Sequence, residues 1–191
     1  MPKTKITKEE ILRECWSVFH LHGYNATSLA MVAKAVGLGK AGLIHHFGTK
    51  AGLMRAVLNY AREAYQGYVL DVIWEDLPLE QRLEKMLRRQ LKLGRIEQRG
   101  CFFANMILET GQDGEFTPQL KHFYQDWLDA LTALLTERFP PEEARERAYR
   151  YFIDYEGSIM LYKLDGSEDH LQKCIVRNLE MLSTPIKLQK I

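Results

Sequence analysis

Apolar residues recur at helical spacing along most of the chain. In the first predicted helix, which follows Thr7 and ends at Gly23, the apolar positions fall three and four residues apart. Thr7 and Glu10 have the spacing of a capping box, in which each side chain accepts a backbone N–H of the other residue. No segment shows the sustained alternation of apolar and polar residues that is typical of a β-strand. The pattern predicts an all-α fold of about nine helices.

Two short helices separated by a glycine turn follow the first helix. Thr27 or Ser28 can cap the first of them, and Gly37 follows its last apolar residue, where a left-handed C-cap favours glycine. The second covers about 40–46, and a longer helix opens at Lys50. Two short helices joined by a tight turn are typical of a helix-turn-helix, whose second helix enters the major groove of DNA. This segment therefore predicts DNA binding.

The rest of the chain continues as helices separated by turns rich in glycine, proline and aspartate. They are predicted over about 50–74, 79–95, 102–111, 117–139, 142–164 and 168–183. The last two carry apolar stripes that could pack inward or form a dimer interface. These stripes are Ala148, Phe152, Tyr155, Ile159 and Tyr162 on one helix and Leu171, Ile175, Leu179 and Leu182 on the other.

Composition is that of a globular protein. The 191 residues are 46% apolar and 27% charged, enough for a sizeable core. No apolar stretch reaches the length of a membrane span and the N-terminus has no signal-peptide core, so we expect a cytoplasmic protein without membrane contact. Cys15, Cys101 and Cys174 are widely spaced and form no CxxC pair, so neither a disulfide framework nor a zinc site is expected. No cofactor is predicted.

Charge is distributed unevenly. Residues 1–50 hold seven Lys/Arg and three acidic residues, whereas the remainder is slightly acidic, for a total of +1. A basic N-terminal part fits a segment that meets DNA phosphates, and a mildly acidic remainder fits one that does not.

Residues 7–53 resemble the DNA-binding head of the TetR family of bacterial transcriptional regulators. The resemblance is carried by an ordered string: Phe19, Gly23-Tyr24, Thr27-Ser28, Val32-Ala33, Gly37-Leu38, Lys40, Leu43, His46-Phe47 and Lys50 to Leu53. It implies a DNA-binding domain at 1–53 and a helical effector-binding and dimerisation domain at 54–191. The implied protein is a repressor, not an enzyme. It would bind a palindromic double-stranded DNA operator as a homodimer through the last two helices, until an unknown small-molecule effector releases it.

The resemblance also implies the DNA contacts. Thr27 and Lys50 correspond to phosphate-binding positions at helix N-termini, where free N–H groups and the helix dipole attract an anion. The other positions lie at the start of the first short helix or on the recognition helix. The full set is Thr27, Ser28, Lys40, Ala41, Gly42, Ile44, His45, His46 and Lys50. Adjacent histidines on a helix point about 100° apart, which disfavours a shared metal ion.

The remainder of the chain is rich in aromatic residues, most of which we assign to the core. An all-helical domain can still enclose an apolar ligand cavity with a few polar groups. Candidate ligand-binding residues are Phe102, Asn105, Met106, Glu109, His122, Trp127 and Tyr155.

Two alternative functions stay open. Cys101 follows Arg99-Gly100 at a predicted helix start, where a lowered thiol pKa would suit an oxidant or electrophile sensor, or a small helical enzyme. A core role for Cys101 is the simpler interpretation, as it is for Cys15; Cys174 suggests packing or an interface. Gly42 and Ile44 stand where relatives commonly carry a hydroxyl residue and a tyrosine, which leaves open a family member that no longer binds an operator.

Overall fold

The computed structural model describes residues 6–111 and 114–185, apart from the side chain of residue 97. These residues form nine α-helices and two short 3-10 helices, without a β-strand in the described ranges, so the predicted all-α fold is confirmed. The α-helices are α1 (Lys8–His22), α2 (Leu29–Ala35), α3 (Lys40–Phe47), α4 (Lys50–Tyr68), α5 (Leu79–Arg95), α6 (Phe102–Thr110), α7 (Thr117–Leu135), α8 (Pro141–Asp165) and α9 (Glu168–Glu180). The 3-10 helices are Leu70–Trp74 and Ile96–Gln98.

The boundaries of α1 follow the local signals in the sequence. The Glu10 N–H donates to Thr7 Oγ1 at 3.2 Å, and the Thr7 N–H donates to Glu10 Oε2 at 2.8 Å. At the other end, Gly23 has a positive φ of 76° and its N–H bonds to the Phe19 carbonyl oxygen at 2.8 Å. The predicted capping box and the glycine stop are therefore both confirmed.

The helix predicted over 50–74 is wrong in its last turns. α4 ends at Tyr68, and Leu70–Trp74 continues as a tighter 3-10 helix. Within that segment Leu70, Val72 and Ile73 are all buried. A 3-10 helix has three residues per turn and is common in short connecting segments such as this one. The last turns predicted for α7 and α9 are likewise not helical in the structure: α7 ends at Leu135 and α9 at Glu180.

The chain forms two compact units. The first combines the residues up to Ala64 with Phe102–Lys121, and the second combines Tyr65–Cys101 with the residues from His122 onward. In the first unit α2 packs against α1 and α3, and the core includes the fully buried Phe19 and Leu43. Cys15 also lies there, and burial raises the pKa of its thiol to about 12, as suits an inert core residue.

The second unit is a bundle in which α5 packs against α8 and α9. At Gly94 on α5 a Cβ atom would lie 2.4 Å from Ile159 Cδ1 on α8, so glycine allows these two helices to approach closely. Trp127 on α7 packs against Tyr151 on α8, with ring centroids 5.1 Å apart. Within the described residues no helix has the length and apolar character that a membrane span requires.

Candidate nucleic-acid interface

Ser28 and Thr27 have different structural roles at the start of α2. Ser28 is the N-cap, and its Oγ accepts the Met31 N–H at 3.2 Å. Thr27 is buried, and its hydroxyl donates to the Gly23 carbonyl oxygen at 2.5 Å. The structure therefore assigns the cap to Ser28, whereas Thr27 fixes the loop between α1 and α2.

Most of the recognition-helix residues lie on the solvent-exposed side of α3. Leu43 is only 1% exposed and anchors α3 to the core of the first unit. The positions of α3 that were predicted to contact DNA are exposed, apart from the half-buried Gly42; the exposed ones are Lys40, Ala41, Ile44, His45 and His46. Ile44, at 43% exposure, is an apolar residue presented to solvent. The surface of α3 thus combines a cation, two imidazoles and an apolar side chain.

Lys50 lies at the start of α4, beside the loop that follows α1. Its Nζ is 4.3 Å from the centre of the Tyr24 ring, within the range of a cation–π interaction. The same Nζ lies 3.4 Å from the Asn25 carbonyl oxygen, to which it donates a hydrogen bond. The conformation of residues 24–25 therefore determines where the ammonium group of Lys50 is held.

A carboxylate from α6 holds this loop in turn. The N–H groups of Tyr24 and Asn25 donate to Glu109 Oε2 at 2.7 Å and to Oε1 at 2.5 Å. Gly23 also lies close to this carboxylate: a Cβ atom at position 23 would be 2.8 Å from Glu109 Oε2. Both this close approach and the positive φ of Gly23 favour glycine at this position. Glu109, which the sequence suggested as a ligand-binding residue, thus lies against the loop of the helix-turn-helix. We name this set of contacts, formed by residues 23–25 with Glu109, the head-loop clamp.

Two further contacts join the segment after α6 to the same unit. The Phe116 ring packs edge-on against Tyr24, with centroids 4.8 Å apart. Glu115 forms an ion pair with Arg55 on α4. Sequence reasoning missed these partners because backbone N–H donors occur at almost every residue, so a carboxylate that binds them leaves no spacing pattern.

The other predicted ligand-binding residues are divided between the units. Phe102 and Met106 are buried in the first unit, and Asn105 is half-buried there. The ring centroids of Phe102 and Trp16 are 6.0 Å apart. His122, Trp127 and Tyr155 belong to the second unit; His122 is exposed and the other two are buried.

Two family models match the chain. The model for bacterial regulatory proteins of the tetR family matches residues 7–57, which contain the helix-turn-helix. The model for the C-terminal domain of LmrA/YxaF-like transcriptional regulators matches residues 81–176. The second match alone covers about half of the chain.

Similar proteins agree with these matches. The HTH-type transcriptional repressor BdcR of Escherichia coli is 29% identical over 105 residues, which cover 55% of this chain and 52% of that protein. The match thus spans about half the length of this curated relative. A TetR transcriptional regulator from Legionella pneumophila has the same fold, with a TM-score of 0.84, 22% identity and coverage of 94% of this chain and 98% of that one. One from Chloroflexus aurantiacus has a TM-score of 0.81 at 19% identity, with 95% and 96% coverage.

The helix-turn-helix, the all-helical fold and the two matched family models lead to one identification. The chain belongs to the TetR family of transcriptional regulators.

Proposed function

We propose that this protein is a cytoplasmic repressor that binds a palindromic operator as a homodimer and leaves it when a small-molecule effector binds. The exposed face of α3 is the observation that carries the proposal. In a helix-turn-helix protein the second helix presents its outer side chains to base edges in the major groove. Here Lys40, His45 and His46 supply the donors, and Ile44 supplies an apolar group that can contact a thymine methyl.

Phosphate contacts would come from the start of α2 and from α4. Ser28 is exposed at the N-cap of α2, and Lys50 is half-exposed at the first residue of α4. Such contacts position the protein on the duplex without reading sequence. Because Thr27 is buried and donates to Gly23, its role here is to support the loop, and we assign the phosphate contact to its neighbour Ser28.

An apolar face on the last two helices supports the homodimer. The stripes singled out in the sequence are largely buried within the chain, since Tyr155, Ile159, Leu171 and Ile175 are among the core residues. A second set of apolar residues on the same helices is exposed instead: Tyr149, Ile153, Met160, Leu161, Leu164 and Val176. Exposed apolar patches of this kind mark interaction surfaces. A two-fold pair of heads would span two half-sites of a palindrome.

The head-loop clamp offers a route for effector response. Glu109 belongs to α6 and holds residues 24 and 25, which in turn hold Lys50. A shift of α6 would therefore move a phosphate-contacting side chain and the start of α2. Coupling free energies between sites are commonly about 1–3 kcal/mol, which corresponds to a change in operator affinity of roughly 5–150-fold.

Selection from a genomic fragment library, followed by fluorescence anisotropy on the selected duplex, tests the DNA-binding part of the proposal. We expect selective binding over a scrambled duplex and a linear fall of log affinity with log salt concentration. Equal affinity for both duplexes would favour the alternative of a family member that has lost operator binding.

Substitution of Ile153 by Glu tests the dimer. Ile153 is 55% exposed, so the change places a charge on the proposed interface without disturbing the monomer core. We expect sedimentation velocity to show a dimer for the wild type and a monomer for I153E. Glu substituted for the similarly exposed Leu21 on α1 is the control, and it should leave the dimer intact.

A further inference from the structure

Gly157 lies in the interior of α8, where glycine is an unfavourable residue. α8 runs from Pro141 to Asp165, so Gly157 is more than one turn from either end of the helix. Glycine destabilises a helix interior relative to alanine, because it loses more backbone entropy on folding. A glycine at such a position therefore calls for a reason in its surroundings.

The packing of the chain itself gives no such reason. At Gly94 on α5 a Cβ would lie 2.4 Å from Ile159 Cδ1, so packing against α8 requires glycine there. At Gly157 a Cβ would meet no atom of the described residues within 4 Å. The buried side chains of Tyr151 and Tyr155 leave α8 about 120–160° away from Gly157 around the helix axis. The space over Gly157 is therefore open to another molecule.

Exposed apolar residues of α8 surround Gly157. At about 100° per residue, the following lie within about 60° of Gly157 around the helix axis: Ile153, Met160, Leu161 and Leu164. Their exposed fractions range from 41% for Leu161 to 81% for Leu164. They lie three, four or seven residues from the glycine, which is the spacing of a helix face that packs against a second helix. We call these four residues together with Gly157 the α8 seam.

A groove of about 470 Å³ lies along this seam, and its charges balance. Its charged lining residues form pairs: Arg150 Nε donates to Glu146 Oε1 at 2.6 Å, and Arg177 Nε donates to Asp154 Oδ1 at 2.9 Å. A groove without net charge attracts neither a polyanion such as DNA nor a strongly basic peptide. It can meet a copy of itself without net repulsion.

We propose that α8 crosses α8 of a second copy of this chain at Gly157, so that the two-fold axis of the homodimer passes beside this residue. In a two-fold contact a residue beside the axis meets its own copy, and a glycine there lets the two backbones approach closely. The apolar residues of the α8 seam are then buried on both sides of the crossing. This inference rests on the homodimer of the proposed function, and it adds the position of the axis and the reason for the glycine.

Cysteine cross-linking tests the position of the axis. A disulfide requires Cα atoms roughly 4.4–6.8 Å apart, a separation that a residue and its own copy reach only beside the axis. We expect oxidation with copper phenanthroline to convert most of Gly157→Cys into a disulfide-linked dimer that a reductant reverses. Arg145→Cys changes an exposed residue of the same helix about 120° from Gly157, and it is the control. It should run as a monomer on a non-reducing gel, as should the wild type with its own cysteines.

Gly157→Ala tests the close approach of the two helices. Alanine should leave the isolated protomer at least as stable, because it favours the helix and its Cβ meets no described atom within 4 Å. In the dimer two added methyl groups would meet at the crossing. This overpacking should raise the dimer dissociation constant about tenfold or more, measured by sedimentation velocity.

Gly67→Ala is the matched control for this variant. Gly67 is an exposed glycine of α4, and a Cβ there would lie 4.0 Å from Asp71 Oδ2, so alanine fits. G67A should dimerise like the wild type. Thermal unfolding at low protein concentration establishes that the protomers of both variants are folded and no less stable than that of the wild type.

Two results would overturn the crossing point: no more cross-linking of G157C than of R145C, or an unchanged dissociation constant in G157A. If the wild type is a dimer and I153E is a monomer, these results leave the homodimer intact and overturn only this inference. A wild type that is monomeric at all concentrations would overturn the homodimer and the crossing point together. A dimer that persists in I153E would do the same, since it must form through another face.

Discussion

Glu109 and Glu156 are both partly buried, but their carboxylates have different surroundings in the two compact units. Glu109, in the first unit, accepts the N–H groups of Tyr24 and Asn25 at 2.7 and 2.5 Å. Glu156, in the second unit, is desolvated with a pKa of about 7, and a thiol is the hydrogen-bonding group that acts on it. Backbone donors let the Glu109 carboxylate hold a local structure, whereas burial disfavours the ionised form of Glu156, so that its charge changes near neutral pH. Glu109 thus fixes a loop, and Glu156 makes the stability of the chain depend on pH.

The largest effect is expected from Glu109→Ala, which removes the acceptor of the head-loop clamp. Hydrogen bonds to charged groups contribute about 1.5–3 kcal/mol each, so the partly exposed pair should be worth roughly 3–4 kcal/mol. Urea denaturation should show a corresponding fall in the free energy of unfolding. Glu115→Gln in the same unit is the control, because its exposed ion pair with Arg55 contributes only about 0–1 kcal/mol. Equal losses in the two variants would refute a special role for Glu109.

Substitution of Glu156 by Gln should stabilise the protein at alkaline pH. The folded-state pKa of about 7 lies above the ordinary value of 4.5, so the unfolded chain ionises first as the pH rises. The contribution of Glu156 to stability is therefore fully present below pH 4.5 and is lost as the pH rises through about 7.

Relative to the wild type, E156Q should gain roughly 3 kcal/mol at pH 8 and less than about 1 kcal/mol at pH 5. Denaturant unfolding at the two pH values measures the difference. A gain that does not depend on pH would mean that Glu156 has an ordinary pKa, and the contrast with Glu109 would disappear.

Lys50→Ala tests whether the first unit contacts DNA phosphates through Lys50. The head-loop clamp holds residues 24 and 25, which contact the Lys50 ammonium group. If Lys50 contacts a phosphate, the slope of log affinity against log salt should become shallower by about 0.9 per protomer. Anisotropy titrations over a salt series give this slope. Lys92→Ala, an exposed change on α5, should leave it unchanged. An unaltered slope in K50A would remove Lys50 from the phosphate contacts.

The smallest effect concerns the recognition helix itself. At Gly42 a Cβ would meet only Leu38 Cβ, at 3.9 Å, so alanine fits without a clash. Gly42→Ala should stabilise the chain by about 0.5–1 kcal/mol, because glycine loses more backbone entropy on folding. Gly37→Ala is the counterpart: it too has space, but its φ of 66° is strained for alanine and should destabilise. Thermal unfolding distinguishes the two, and a loss of stability in G42A would show that glycine is required at this position of α3.

Local signals predict the first unit best. The capping box at Thr7 and Glu10, the glycine at 23 and the extents of α2 and α3 depend on neighbours within a few residues, so the sequence displays them. Glu109 is 85 positions from Tyr24 in the chain and binds backbone atoms, which no side-chain pattern encodes. Its predicted role in ligand binding rests on its being a polar residue in an aromatic-rich helical region, a property that does not distinguish a pocket from a contact with a loop.

The second unit is harder to predict for a related reason. Tyr155 and Trp127 stand out as candidate ligand residues because aromatic side chains are conspicuous, whereas Glu156 is one among many acidic residues. Its raised pKa arises from lost solvation, which depends on the tertiary packing of α8 and not on sequence spacing. The apolar stripes of the last two helices are visible in the sequence, but the face predicted for the interface is largely buried and another is exposed, since two apolar faces on one helix look alike in a sequence.

The central claim is that Glu109 holds the loop of the helix-turn-helix in the conformation that binds DNA, whereas Glu156 takes no part in DNA binding. Anisotropy with the selected duplex, on folded wild type, E109A, E115Q and E156Q at low temperature, tests it directly. We predict selective, salt-dependent binding by the wild type, at least about tenfold weaker binding by E109A, which is about 1.4 kcal/mol, and affinities within about twofold of the wild type for the other two variants. Equal loss in E109A and E156Q, or wild-type affinity in E109A, would contradict the claim.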